Sequence, residues 1–203
     1  MTATVYARAR DRGSETLRRA LLDTASRLLV KEGPQALTMR RVATTAGCST
    51  TVLYTTFGGK DGIAEALYRE GFARFAKRLA AVRPSDDPIE RLTALGHAYR
   101  DNALENRSYY GVMFGASIPG FVPSVDALTE AAGTLQVLVD QVQLCMDAGV
   151  FAQGDAQAAA EVLWAATHGA VSLQLAGFFA DEQTARSRFE TLMVAAGMAF
   201  LRH

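Results

Sequence analysis

Cysteine and histidine are nearly missing from this chain of 203 residues: two of the first and three of the second. Cys48 and Cys145 lie far apart with no CxxC spacing, and His97, His168 and His203 are scattered. Neither a disulfide framework nor a zinc site is supported, so no metal is expected. Long hydrophobic runs are missing too. The most apolar later stretch, 169–180, is short and interrupted by Ser172 and Gln174, and cannot span a bilayer. The first twenty residues include Arg8, Arg10, Asp11, Arg12, Glu15, Arg18 and Arg19, which leaves no room for a secretory apolar segment. A cytoplasmic protein is the expectation. No Ser-His-Asp or Cys-His set can be argued from spacing, and the GGK at 58–60 lacks the rest of a phosphate-binding Walker loop. No catalytic residue and no cofactor are therefore assigned.

Net charge is also missing, at zero, but the zero hides an asymmetry. Residues 1–60 hold ten Lys and Arg against four acids, while residues 61–203 hold eleven against seventeen. A basic N-terminal third on a neutral protein suggests a polyanion partner for that third alone.

Strand alternation is absent, and helical spacing takes its place. Residues 1–13 lack periodicity and are expected to form a flexible basic arm. Ser14 can cap a helix carrying Leu17, Ala20, Leu21, Thr24, Leu28 and Leu29, which Gly33-Pro34 stops. Thr38 caps a second helix with Met39, Val42, Ala43 and Ala46 inward, ended by Gly47. Ser49 caps a short third one, ended by Gly58-Gly59. A long helix then runs from Lys60 to about Val82. Further helices are expected near 88–106, 107–117, 123–148, 155–178 and 182–201. The fold class is all-α: a helix-turn-helix unit over 14–60, joined by a long helix to a bundle over 61–203.

The third helix, in CSTTVLYTTFGGK at 48–60, carries five Ser and Thr and no charge before Lys60. Helical spacing puts Ser49, Val52, Leu53, Thr56 and Phe57 on one side, and Thr50, Thr51, Tyr54 and Thr55 on the other or at its edge. Two short helices joined at a glycine, the second presenting small hydroxyls, make a helix-turn-helix suited to DNA. Hydroxyls reach phosphates and base edges, and a threonine methyl packs on a thymine methyl. Lys60 adds its charge to the N-terminal amides of the next helix, a natural phosphate site.

The segment LTMRRVATTAGCSTTVLYTTFGGKDGIAEAL, 37–67, resembles the DNA-binding signature of tetracycline-repressor-like (TetR/AcrR) regulators. The resemblance rests on Thr38, Val42-Ala43, Ala46-Gly47, Ser49, Leu53-Tyr54, Phe57 and Lys60. It implies a homodimer on a palindromic double-stranded operator, with DNA contacts at Thr38, Arg40, Ser49, Thr50, Thr51, Tyr54, Thr55 and Lys60. Thr51, Thr56 and Cys48 depart from the common pattern. Cys48 reads as a small core residue, a redox-sensing thiol being the alternative. Helix 3 lacks Arg, Asn and Gln, so Arg40 is the one well-placed guanine reader on these two helices.

The later residues offer His97, Tyr110, Met113, Phe114, Phe121, Cys145, Trp164 and His168 as lining for an effector pocket, against the simpler reading of core packing. Trp164-Ala-Ala-Thr-His168-Gly169 resembles the Trp-His-Gly signature of one C-terminal subclass of that family. Small and apolar residues mark the last two helices as a dimer interface: Ala159, Val162, Ala166, Gly169, Ala170 and Leu173 on one, and Leu192, Ala195, Ala196 and Ala199 on the other. The resulting expectation is a repressor released from its operator by a small, mostly apolar effector. The alternatives are a small all-α enzyme with His97 or His168 as base, and an effector-independent structural DNA-binding dimer.

Overall fold

The computed structural model describes residues 5–115 and 118–202, with side chains from residue 13 onward. It contains α1 (Val5–Glu32), a 3-10 turn (Pro34–Ala36), α2 (Met39–Ala46), α3 (Thr50–Phe57), α4 (Lys60–Ala80), α5 (Pro88–Glu105), α6 (Arg107–Phe114), α7 (Val125–Asp147), α8 (Ala156–Leu175) and α9 (Glu182–Met198). Among the described residues the sole β pairing is an isolated antiparallel bridge, Phe151 with Leu201. None of these helices is long and apolar enough to cross a membrane.

One end differs from expectation. α1 begins at Val5, so Ser14 lies inside the helix rather than capping it, and residues 5–13 are not an irregular arm. The alanines and arginines of 7–12 are good helix formers and favour extension of the helix ahead of Ser14. The side chains of Arg8, Arg10 and Arg12 lie outside the described residues.

The chain divides into two compact units: residues 1–71 with 108–127, and 72–107 with 128–203. These are units of packing, distinct from the expected functional boundary at 60/61, and they group α6 with the N-terminal helices. Physical ties explain why. Tyr109 Oη donates to Asp23 Oδ1 at 2.8 Å, and Ser108 Oγ donates to Ser26 Oγ at 3.2 Å, which pins α6 to α1. α4 and α6 pass closely at Gly71, where a Cβ would lie 2.7 Å from Met113 Cγ. The core of this unit includes Leu21, Leu22, Leu28, Val42, Leu53, Ile63 and Leu67, all at most 5% exposed.

In the second unit, Val142, Cys145, Met146, Phe151, Ala156, Ala159, Ala160 and Leu163 form a continuous core, with Ile89 and Leu92 packed against it. Aspartates start its helices: Asp87 accepts from Ile89 N at 2.8 Å, Asp155 from Ala158 N at 3.1 Å, and Asp181 from Thr184 N at 2.7 Å. The bonds from Thr184 hold the Asp181 carboxyl below its ordinary pKa.

Arg100, 4% exposed, ties α5 to α8 and α9. Its Nε donates to Gln174 Oε1 at 3.0 Å, its Nη2 to Glu182 Oε1 at 2.6 Å, and its guanidinium lies 5.7 Å from the Phe189 ring centre. The pair is asymmetric, since the Glu182 side chain is 66% exposed. Losing Arg100 would leave Glu182 solvated, whereas losing Glu182 strands a buried cation. Glu182→Ala is therefore expected to cost about 1–3 kcal/mol, read from the urea midpoint. An unchanged midpoint would mean that Gln174 and Phe189 suffice to hold the charge.

Candidate nucleic-acid interface

The surface around α2 and α3 follows from how the two helices are seated. Thr38, in extended backbone, starts α2, and its Oγ1 accepts from Arg41 N at 3.2 Å. That bond uses an acceptor and leaves the hydroxyl proton free to donate to a phosphate. α2 ends at Gly47, whose φ of 70° is left-handed and whose N–H reaches Ala43 O and Thr44 O. A side chain there would oppose that backbone. Ser49 follows in the cap position of α3, but its hydroxyl makes no cap hydrogen bond, contrary to expectation.

α3 is anchored by Leu53, at 0% exposure, with Val52, Thr56 and Phe57 half-buried. Thr56 Oγ1 donates to Val52 O at 2.7 Å, so its hydroxyl is spent inside the helix. Thr50, Thr51, Tyr54 and Thr55 are exposed, in line with the helical spacing. Ser49 joins them outside instead of facing the core with Leu53, because the cap residue lies before the first helical turn. Cys48 is half-buried.

Charge on this surface is sorted by pairing. Arg41 grips Glu32 with two hydrogen bonds, Nε to Oε2 at 3.2 Å and Nη2 to Oε1 at 2.8 Å. The Arg41 hydrogen bonds hold the Glu32 carboxyl below its ordinary pKa. Arg19 pairs with Glu15 at 2.9 Å, and the Arg18 guanidinium lies 5.8 Å from the Phe57 ring centre. Arg40 and Lys60 are exposed and have no hydrogen-bond or ion-pair partner among the described residues. Lys60 opens α4, where the helix N–H groups are unsatisfied. All eight residues expected to touch DNA are thus exposed: Thr38, Arg40, Ser49, Thr50, Thr51, Tyr54, Thr55 and Lys60. Periodicity does not identify the Glu32–Arg41 pair, because its partners are nine residues apart on different helices.

The residues expected to line an effector pocket fall into two groups. Tyr110, Met113, Phe114 and Phe121 belong to the first unit; the Tyr110 and Phe114 rings are 4.9 Å apart, and Phe121 stands 6.1 Å from Tyr68. His97, Cys145, Trp164 and His168 belong to the second. There His97 packs on Phe189 at 5.7 Å, and Cys145, fully buried, donates to Pro88 O at 3.6 Å. Burial pushes the Cys145 thiol pKa up. Trp164 lies 5.9 Å from His168, whose Nδ1 shares a hydrogen bond of 2.9 Å with Tyr99 Oη.

Burial lowers the His168 pKa from 6.5. The unfolded chain then binds more protons than the folded one just below that value, so stability falls as pH drops through it and is complete above it. His168→Gln is expected to flatten the fall in urea midpoint measured over about pH 5 to 8. An equally steep fall in the variant would assign the titration elsewhere.

The expected dimer face is only partly free. Ala159 and Ala170 are buried within the protomer, at 3% and 7% exposure, and Ala196 packs on the second unit's core. α8 and α9 pack on each other, and Ala159 is taken up by the core that α7 shares. Ala166 and Gly169 are half-buried, while Val162, Leu173, Leu192, Ala195 and Ala199 are exposed. Val194, Met198 and Phe178, which spacing does not single out, are exposed as well.

Comparison with known proteins identifies the family. Residues 21–67 match the model of bacterial regulatory proteins of the tetR family, and residues 92–196 match the tetracyclin repressor-like C-terminal domain. The HTH-type transcriptional regulator BetI of Rhizobium meliloti is 35% identical over 85 residues, which are 41% of this chain and 42% of that protein. The match therefore spans less than half the length of that relative. A solved protein of unknown function from Rhodococcus sp. RHA1 superposes with a TM-score of 0.78 at 26% identity, over 92% of this chain and 96% of the other. The TetR family transcriptional regulator PfmR of Thermus thermophilus shares the fold, with a TM-score of 0.71 at 18% identity over 90% and 99%. With one family model on the helix-turn-helix and a second on more than half of the chain, this protein belongs to the tetracycline-repressor (TetR) family of bacterial regulatory proteins, which are DNA-binding regulators of transcription.

Proposed function

We propose that the chain is a cytoplasmic repressor that binds a palindromic operator as a homodimer and leaves it when a small, mostly apolar effector binds. The observation that carries the proposal is the sorting of charge and hydroxyls at α2 and α3. Every expected contact residue is exposed, while the nearby Arg41 and Thr56 are spent on the protein itself. In the dimer the two α3 helices would sit about 34–36 Å apart, in successive major grooves. The exposed apolar side chains Val162, Leu173, Leu192, Val194 and Met198 supply surface for pairing α8 and α9 with those of a second copy. The C-terminal unit resembles an effector domain by family, and Trp164 beside His168 is where an effector contact is best read. α4, whose residues belong to both units, would pass the change to Lys60.

The experiment is binding to the DNA upstream of the protein's own gene, followed by anisotropy over a range of salt. One protected palindrome and a steep linear loss of affinity with log salt are expected, and Lys60→Ala should reduce that slope by about one. Binding without sequence preference would overturn the proposal. The chain has one tryptophan, so quenching of Trp164 emission by a compound that also releases the DNA would place the effector beside it.

A further inference from the structure

The second unit contains an open groove of about 270 Å³ that none of the residues discussed as effector lining borders, and its lining includes Asp86, Pro88, Arg91, Gln141, Leu144 and Asp147. The groove sits where the first turn of α5 meets the last turns of α7. Gln141 is 2% exposed. Its Nε2 donates to Pro88 O at 2.8 Å, which fixes the amide so that Oε1 points away from that carbonyl. Oε1 has no hydrogen-bond partner, and neither does the buried Nε of Arg91. Two residues that line the groove thus each hold a buried polar atom without a protein partner, one an acceptor and one a donor. Buried polar atoms are ordinarily matched, so this acceptor and donor are the groups of the lining that a polar guest would answer.

The surrounding chemistry narrows what that is. Arg91 forms no ion pair among the described residues, so its guanidinium is free to take an anionic oxygen. Asp86 and Asp147 are exposed at the rim, and Asp147 Oδ1 accepts from Gln143 Nε2 at 2.8 Å. Pro88 and Leu144 add apolar wall. The volume lies just below the range of pockets for drug-sized ligands, which limits the guest to roughly the size of one amino acid.

We propose that this groove is a binding site for a small zwitterion of the apolar α-amino acid class. Its carboxylate bonds Arg91, its primary ammonium donates to Gln141 Oε1 and faces Asp147, and its side chain rests on Leu144 and Pro88. Both unmatched atoms are shielded from solvent in the free protein, so binding includes a small movement of the rim side chains. Its lining includes no residue assigned to DNA contact and does not include Trp164 or His168.

The test uses the full-length protein and L-leucine and L-phenylalanine as probes, with binding followed by calorimetry and by amide chemical shifts of 85–91 and 141–148. Saturable shifts confined to those segments are expected. The methyl esters, which lack the carboxylate, and the N-acetyl derivatives, which lack the ammonium, should each bind at least about tenfold more weakly. Arg91→Lys keeps the charge but loses the Nε–H, and it should weaken the free acids while leaving the esters unchanged. The ligand series on the unmodified protein stands even if a variant fails to fold. No shift with either amino acid, or equal binding of acid, ester and acetylated forms, overturns the assignment.

Discussion

Gly62→Ala is expected to lower stability by about 3 kcal/mol or more and to abolish DNA binding at growth temperature. A Cβ at this position would stand 1.7 Å from the backbone oxygen of Phe57 and 2.9 Å from its carbonyl carbon. No rotamer relieves a contact with backbone, so α3 and the first turn of α4 would have to move apart. That junction seats the recognition helix, because Phe57 ends α3 and Lys60 begins α4. The neighbouring Gly59 supplies the control. Nothing lies within 4 Å of where its Cβ would stand, and its φ is not left-handed, so Gly59→Ala should stay within about 0.5 kcal/mol. Urea unfolding of both variants decides the matter. Equal midpoints would show that the junction yields, and that the close carbonyl does not set the angle between α3 and α4.

The second large effect concerns two adjacent arginines. Arg40→Ala should cost about 1–3 kcal/mol of discrimination among operator variants, on the proposal that this exposed, unpaired guanidinium reads a base. Arg41→Ala should leave that discrimination intact, because its guanidinium is held by Glu32. The converse experiment is Glu32→Gln, which releases Arg41. Affinity should rise at low salt, and the slope of log affinity against log salt should steepen by about one. If Arg40→Ala leaves the preference among operators as it was, the direct reader lies elsewhere, and shape readout carries the specificity.

How much of this was legible beforehand depends on how local the cause is. The helices over 88–105, 125–147 and 182–198 arise from cap residues and apolar spacing within their own segments, so the expected spans lie within a few residues of the observed ones. The exposed face of α3 follows from its own periodicity, with Leu53 buried and Thr50, Thr51, Tyr54 and Thr55 outside. α1 exceeded expectation because a serine that can cap is also tolerated within a helix when its neighbours favour helix.

By itself, then, the sequence determined the all-α class, the helix-turn-helix and its family, and which residue types α3 exposes, since each depends on neighbours three or four positions away. Only the tertiary structure decided which charges are free. Whether Arg41 or Arg40 faces outward unpaired depends on Glu32 of another helix, and no spacing rule links them. It also decided that α6 belongs with α1, through Tyr109 and Asp23, and that Ala159 and Ala170 are consumed within the protomer. The same holds for Gly62, whose necessity comes from one carbonyl oxygen at the end of α3, and for Gln141 and Arg91, whose unmatched atoms exist only where α5 and α7 meet. Contacts between distant segments are fixed by packing and by the need to pair buried polar groups, and these are properties of the folded chain.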